Sequence, residues 1–151
     1  MPSTTDLSQL IPHQGGMCLL QTVLRWDDQL IALSTTTHRA ADHPLRSNGR
    51  LRAVHLCEYG AQAMAVHGAL KASARGHQAA PGMLVSLRSV ELHCDYIDDL
   101  PEPLEVRAQC LQATDSSLQY SFEVLHRDQV LAQGRAAVVL SQPGAGREPG
   151  P

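Results

Sequence analysis

The chain has 151 residues, the length of one domain. Twelve Lys and Arg against fifteen Asp and Glu leave a formal net charge of −3, which argues against a nucleic-acid binder held by phosphate neutralisation. Hydrophobic residues, at 43%, are enough for a core, but aromatics are only 3%, so that core is aliphatic and base-stacking platforms are not expected.

The opening Met1-Pro2-Ser3-Thr4-Thr5-Asp6 lacks the basic-then-apolar order of a secretory signal, and no uncharged apolar run approaches the roughly 18–20 residues needed to enter a bilayer. Cys18, Cys57, Cys94 and Cys110 are scattered, with no Cys-x-x-Cys pair. Together these predict a soluble cytoplasmic protein with free thiols and no membrane insertion.

In chain order, residues 17–25 and 29–37 read as a hairpin across Trp26-Asp27-Asp28. A polar, irregular loop from 38 to 50 follows, carrying His43. Residues 51–73 then read as a long helix, free of proline and rich in Ala, Leu, Met, Gln and Glu. Val54, Cys57, Ala61, Met64, Ala65 and Gly68 recur at spacings of three and four, marking an apolar face. Gly60, Ala61, Ala63, Ala65, Gly68 and Ala69 are small enough to let a sheet come close, and Asn48-Gly49 and Arg75-Gly76 read as stops.

Four strand-like stretches complete the chain: 84–97, 104–112, 118–126 and 130–140, separated by turn-rich clusters. Leu118, Tyr120, Phe122 and Val124 alternate with polar residues, the pattern of a half-buried antiparallel strand. Residues 142–151 are rich in Pro and Gly and read as a disordered tail, leaving a single domain over 1–141. A helix apolar nearly all round, alone among six strands, is best buried by a sheet that wraps it; the fold class is α+β.

Two ionisable residues stand out. Glu58 sits on a mostly apolar helix, where a carboxyl is expected to hold its proton to higher pH and serve as an acid. A histidine such as His43 is a natural base. Such a pair suits removal of a proton from one carbon while a hydroxyl leaves the next. A helix glutamate is more often solvated or ion-paired, and Arg46, Arg52 or Lys71 are possible partners. A rival pair exists in His55 and Glu58, three apart on one helix face. His67 points to roughly the opposite side, towards packing or an interface, and His13, His38, His77 and His126 have no partner at telling spacing. Adjacent His93 and Cys94 face opposite sides of a strand, so no metal site is expected. Cys57, mid-helix, reads as an inert core thiol, and Gly15-Gly16 lacks the pattern of a phosphate loop.

Several segments are similar to a known family. Leu10-Ile11-Pro12-His13-Gln14, Met17-Cys18-Leu19-Leu20 and Trp26-Asp27 resemble the opening of bacterial 3-hydroxyacyl-acyl-carrier-protein dehydratases, and Glu58-Tyr59-Gly60-Ala61-Gln62-Ala63-Met64 resembles their Glu-x-x-Ala-Gln-Ala helix. His43-Pro44-Leu45 followed by Asn48-Gly49-Arg50-Leu51 resembles more closely the dehydratase-like branch of aryl-polyene and fatty-acid-like clusters. This resemblance implies a hotdog fold, a curved antiparallel sheet wrapped around one long central helix. It also implies a homodimer or heterodimer with another hotdog dehydratase, joined edge to edge, whose site takes a loop His from one chain and a helix acid from the other.

Carried onto this sequence, His43 becomes the base at the α-carbon, Glu58 the acid that protonates the departing 3-hydroxyl, and Gln62 the residue orienting that carboxyl. Backbone N–H groups among Leu51 to Val54 become candidates for the thioester carbonyl. Arg50 and Arg52, with Arg46, become candidates for an acidic acyl carrier protein or the phosphate of the phosphopantetheine that carries the substrate; no cofactor is implied. Ala61, Ala65, Ala69, Val85 and Leu87 become candidates for the acyl tunnel. The main family has Gly-His-Phe-Pro-Gly before the helix; here the loop reads Asp42-His43-Pro44-Leu45-Arg46. That departure keeps two further readings in view, a hotdog thioesterase and a non-catalytic subunit that pairs with an active dehydratase.

Overall fold

The structure is a computed structural model that describes residues 18–77, 80 and 82–141. Its elements are β1 (Thr22–Trp26), β2 (Leu30–Thr35), α1 (Leu56–Ala74), β3 (Gly82–Leu92), β4 (Leu104–Ala113), β5 (Ser117–His126) and β6 (Gln129–Leu140). The strands form one antiparallel sheet in the order β1-β2-β4-β5-β6-β3, curved around α1, which packs on β2, β4, β5 and β6. The expected N-terminal motif at 10–17, His13 and the tail at 142–151 lie outside the described residues.

The β1–β2 turn is closed by Asp27, whose Oδ1 accepts the backbone N–H groups of Gln29 (2.8 Å) and Leu30 (2.9 Å). Strands β4, β5 and β6 follow the sequence reading within a residue or two because turn chemistry and alternation agree there. On β5, Tyr120, Phe122 and Val124 are buried towards the helix, opposite Cys110, Ala108 and Val106 of β4.

Three expectations are corrected. First, Asn48-Gly49 does not start the helix. Both residues have positive φ (53° and 75°) and form a tight reversal bridging Ser47 and Arg50. Residues 51 and 52 then run extended, the stretch pinned by Ile97 N–H to the Leu51 carbonyl (3.0 Å) and Ala53 N–H to the Asp95 carbonyl (2.9 Å). The helix begins only after a 3-10 turn over Ala53–His55.

Second, this same pairing ends β3 early. The ladder to β6 ends at Leu92, with one last bond from His93 N–H to the Leu131 carbonyl (2.8 Å), so 94–97 does not continue the strand.

Third, the helix buries a different face. Leu56, Tyr59, Gly60, Ala63, Val66 and His67 are buried, as is Met64 from the expected stripe, whereas Val54 is 49% exposed and Cys57, Ala61, Ala65 and Gly68 are half-buried. Small apolar residues lie all round this helix, so periodicity marked a stripe without deciding which stripe met the sheet. Close approach is real, and it occurs at Gly60. A Cβ there would stand 2.6 Å from Cδ2 of Phe122. The same ring lies 3.0 Å from where a Cβ on Gly134 would sit, so the only Phe in the chain is clasped between two glycines.

At its C-terminus the helix ends as expected at Gly76. With φ at 74° it closes the last turn through Gly76 N–H to the Ser73 carbonyl (3.0 Å) and His77 N–H to the Ala72 carbonyl (2.8 Å).

Candidate active site

Glu58 lies in the first turn of α1, half-buried, on the side of the helix turned away from the sheet's centre. Gln62, one turn later and fully buried, donates its amide Nε2–H to Glu58 Oε2 at 3.0 Å. The other end of that amide is fixed as well, because Leu19 N–H donates to Gln62 Oε1 at 2.9 Å. A primary amide so held has one orientation, and the carboxylate it meets is held with it.

His43 is buried in the loop before the helix. Its Nδ1 accepts the backbone N–H of Leu45 at 3.1 Å, and its Nε2 stands 3.0 Å from the hydroxyl of Tyr59. The two rings lie 25° from parallel at 6.2 Å. Burial, then the Arg46 guanidinium, His55 and His38, hold the imidazole below its ordinary pKa, partly offset by Asp42. Tyr59 hydroxyl is 3.0 Å from Thr37 Oγ1, which is 2.6 Å from the Leu19 carbonyl. Burial pushes the Tyr59 phenol up to about 12, so it stays protonated.

The structure thus brings Glu58 and Gln62 together, and places His43 against Tyr59, the neighbour of Glu58 in sequence. Tyr59, Thr37 and Leu19 were missed in the sequence. The available signal was Tyr59 itself, one of three tyrosines in a chain poor in aromatics, sitting directly beside the candidate acid. His55, in the 3-10 turn ahead of α1, is half-buried. His67 is buried between Tyr120 hydroxyl (2.6 Å) and the Asp27 carbonyl (2.7 Å), a packing role as anticipated. His38 and His126 reach the carbonyls of Leu100 and Pro101, partners too distant in sequence to foresee.

At the helix entrance, Asp98 gathers the arginines. Arg50 Nε meets both its carboxylate oxygens (3.1 and 3.0 Å), Leu51 N–H donates to it (3.0 Å), and Arg46 approaches to 3.9 Å. Burial alone would raise this carboxyl, but the hydrogen bonds from Leu51 and Arg50 outweigh it and hold Asp98 below the usual carboxylate range. Arg46 is also bound to the carbonyls of Ala40 and Gly49. Arg50 and Arg52 lie over the Tyr96 ring, at 4.1 and 5.4 Å from its centroid. Arg52 is exposed. Of the backbone donors expected to face a thioester, those of Leu51 and Ala53 are already engaged, by Asp98 and by the Asp95 carbonyl.

Ala61 and Ala65 are half-buried, Ala69 is buried, and Val85 and Leu87 are exposed at 52% and 40%. Among the described residues, no group of three or more His, Cys, Asp or Glu converges to hold a metal ion, and no helix is long and apolar enough to cross a membrane. The four cysteines are free thiols, and burial raises that of Cys57. A groove on the outer face of the sheet, lined by Arg25, Glu91, Arg107, Glu123 and Arg135, contains none of the site residues.

The strand order and the single wrapped helix define a hotdog-fold protein. Solved structures agree: the dehydratase heterocomplex ApeI:P from Xenorhabdus doucetiae matches with a TM-score of 0.79 at 21% identity, over 94% of this chain and 92% of that one. AziG from S. sahachiroi matches at 0.59 with 16% identity, over 82% and 92%. A hypothetical thioesterase with coenzyme A from Streptococcus pneumoniae TIGR4 matches at 0.58 with 10% identity, over 79% and 84%. No sequence among the curated proteins matches. The chain belongs to the ApeP-like family, described as ApeP dehydratase, whose signature matches residues 5–146.

Proposed function

We propose that this chain contributes the acid half of a dehydratase site acting on 3-hydroxyacyl thioesters carried by the phosphopantetheine of an acyl carrier protein. The observation that carries this is the Leu19–Gln62–Glu58 clamp, which fixes a half-buried carboxyl on the outward side of the hotdog helix. In the reaction the Cα–H proton passes to a base, the Cα=Cβ bond forms, and the Cβ–O bond breaks as Glu58 delivers its proton to the departing hydroxyl. The products are a trans-2-enoyl thioester and water. Arg52, exposed beside Tyr96, is available to an acidic carrier or its phosphate, whereas Arg50 is tied to Asp98.

The base is an imidazole brought by a second hotdog chain. Strand β3 supports a two-chain assembly: it is an edge strand with Met83, Leu84, Val85, Leu87, Val90 and Leu92 all at least 36% exposed. The heterocomplex among the structural neighbours, and the engagement of both nitrogens of His43, favour pairing with a different dehydratase chain over self-pairing.

The test is intact-mass analysis of a 3-hydroxyacyl carrier protein incubated with the purified chain, alone and with a second hotdog dehydratase chain. Loss of one water, reduced about 10²–10⁴-fold by Glu58→Gln, is expected. Release of the free acid would instead identify a thioesterase. Turnover that is indifferent to Glu58→Gln, in either mixture, would remove Glu58 from the chemistry.

A further inference from the structure

We propose that His43 is a positioning residue, the head of a one-directional hydrogen-bond chain that sets Gln62 and, through it, Glu58. This rests on the reading of Glu58 as the acid.

The direction of the chain follows from its first bond. A backbone N–H can only donate, so Leu45 makes Nδ1 of His43 an acceptor. In the neutral imidazole the proton then resides on Nε2, and Nε2–H donates to the Tyr59 hydroxyl. Tyr59 passes its own proton to the other neighbour, Thr37 Oγ1, and Thr37 donates to the Leu19 carbonyl, which can only accept. The same residue donates its N–H to Gln62 Oε1, and Gln62 Nε2–H ends on Glu58 Oε2. Thr35 adds a second hydroxyl on the Leu19 carbonyl at 2.5 Å, which further fixes that backbone position. Thr37 Oγ1 also stands 2.9 Å from Thr35 Oγ1, which tightens the middle of the path, and burial leaves little water to substitute for a lost link.

The consequence separates this site from one in which the loop histidine is the base. A base needs a lone pair facing the substrate. Here the Nδ1 lone pair faces Leu45 N–H, and Nε2 carries a proton directed at Tyr59. What His43 supplies is a donor, and an amide can supply that too.

Two experiments read this out. In the dehydration assay with the assembled enzyme, His43→Ala, Tyr59→Phe and Thr37→Val are expected to lower kcat by about ten- to hundredfold with KM unchanged, the signature of a displaced acid. His43→Gln keeps an N–H donor towards Tyr59 but has no basic nitrogen, and is expected to stay within about threefold of the parent. If His43→Gln is as inactive as His43→Ala, His43 is the base and the proposal fails.

The second readout needs no turnover. Nitrogen-15 spectra of histidine-labelled full-length protein, with His43 identified by its loss in His43→Gln, are expected to show a protonated Nε2 and a bare Nδ1 at neutral pH. The opposite tautomer would overturn the assignment. The Gln62 side-chain amide signal is expected to move in Thr37→Val and His43→Ala, and to hold its place in His43→Gln. A signal that stays put in all three would show that nothing is transmitted. Failure of the dehydratase reading has a different signature: Glu58→Gln leaves activity intact while the tautomer and the amide shifts are as expected.

Discussion

A single atom position at Gly60 sets how tightly helix and sheet meet. The Phe122 ring occupies the space where a side chain would begin, and it is backed by Gly134 on the next strand. Gly60→Ala must push the ring aside, towards the backbone of Gly134. The expected cost is about 1–3 kcal/mol in urea unfolding. Phe122→Leu, which relieves the contact, should recover part of that loss in the double variant. An unchanged midpoint in Gly60→Ala would mean the helix can lift from β5 freely. The crowding was half legible: the run of small residues announced close approach, but not which of them met the ring. The same holds for the site. Glu58 and Gln62 are four apart on a helix, so their contact could be read directly. The bond from Leu19 to Gln62 spans 43 positions and the one from His43 to Tyr59 spans 16, and no local pattern encodes either.

At the scale of elements, β3 differs from the other strands. It pairs only with β6, lies beyond the reach of the main helix packing, and shows large apolar side chains to solvent on both faces. Under the two-chain reading this edge is the seam. Leu84→Lys combined with Val90→Lys alters residues already 42% and 36% exposed in one chain, so the folded monomer should lose less than about 0.5 kcal/mol. Association should weaken by at least about tenfold, because edge lysines oppose strand pairing. Sedimentation velocity against concentration measures both species. An unchanged distribution would place the seam elsewhere. Alternation in 84–92 marked a strand correctly, but its end could not be read, since β3 stops where residues 95–97 are taken by the stretch before the helix.

For the whole molecule, three buried histidines set the acid limit of stability. Burial, the largest influence in each case, lowers His38, His43 and His67 below the 6.5 of an unfolded chain. Below that value the unfolded chain takes up protons that the folded one refuses. The stability these groups contribute is therefore complete above about pH 6.5 and is lost as pH falls from there through their lowered folded values. Thermal midpoints should be level between about pH 7 and 8 and decline below about 6.5, before the carboxylates of Asp27, Asp98 and Glu102, themselves lowered, begin to titrate. A midpoint that rises on acidification through this range would contradict the burial of these rings. Composition gave the number of histidines but not their surroundings: His38 finds Leu100, and His67 finds both Tyr120 and Asp27, only once the sheet has closed.

The strand order also sets a timetable for synthesis. β3 leaves the ribosome well before β6, its one neighbour in the sheet, because β4 and β5 are made between them. For the length of chain between Leu92 and Gln129 an apolar strand has no ladder to join, while β4 and β5 can already pair with each other. Nascent chains stalled before residue 129 should therefore be sticky and bound by holding chaperones, and release should come abruptly as β6 emerges. Under the two-chain reading, a partner chain arriving at that moment would find the seam freshly formed, which gives translation in close proximity a physical advantage over assembly from finished, freely diffusing chains.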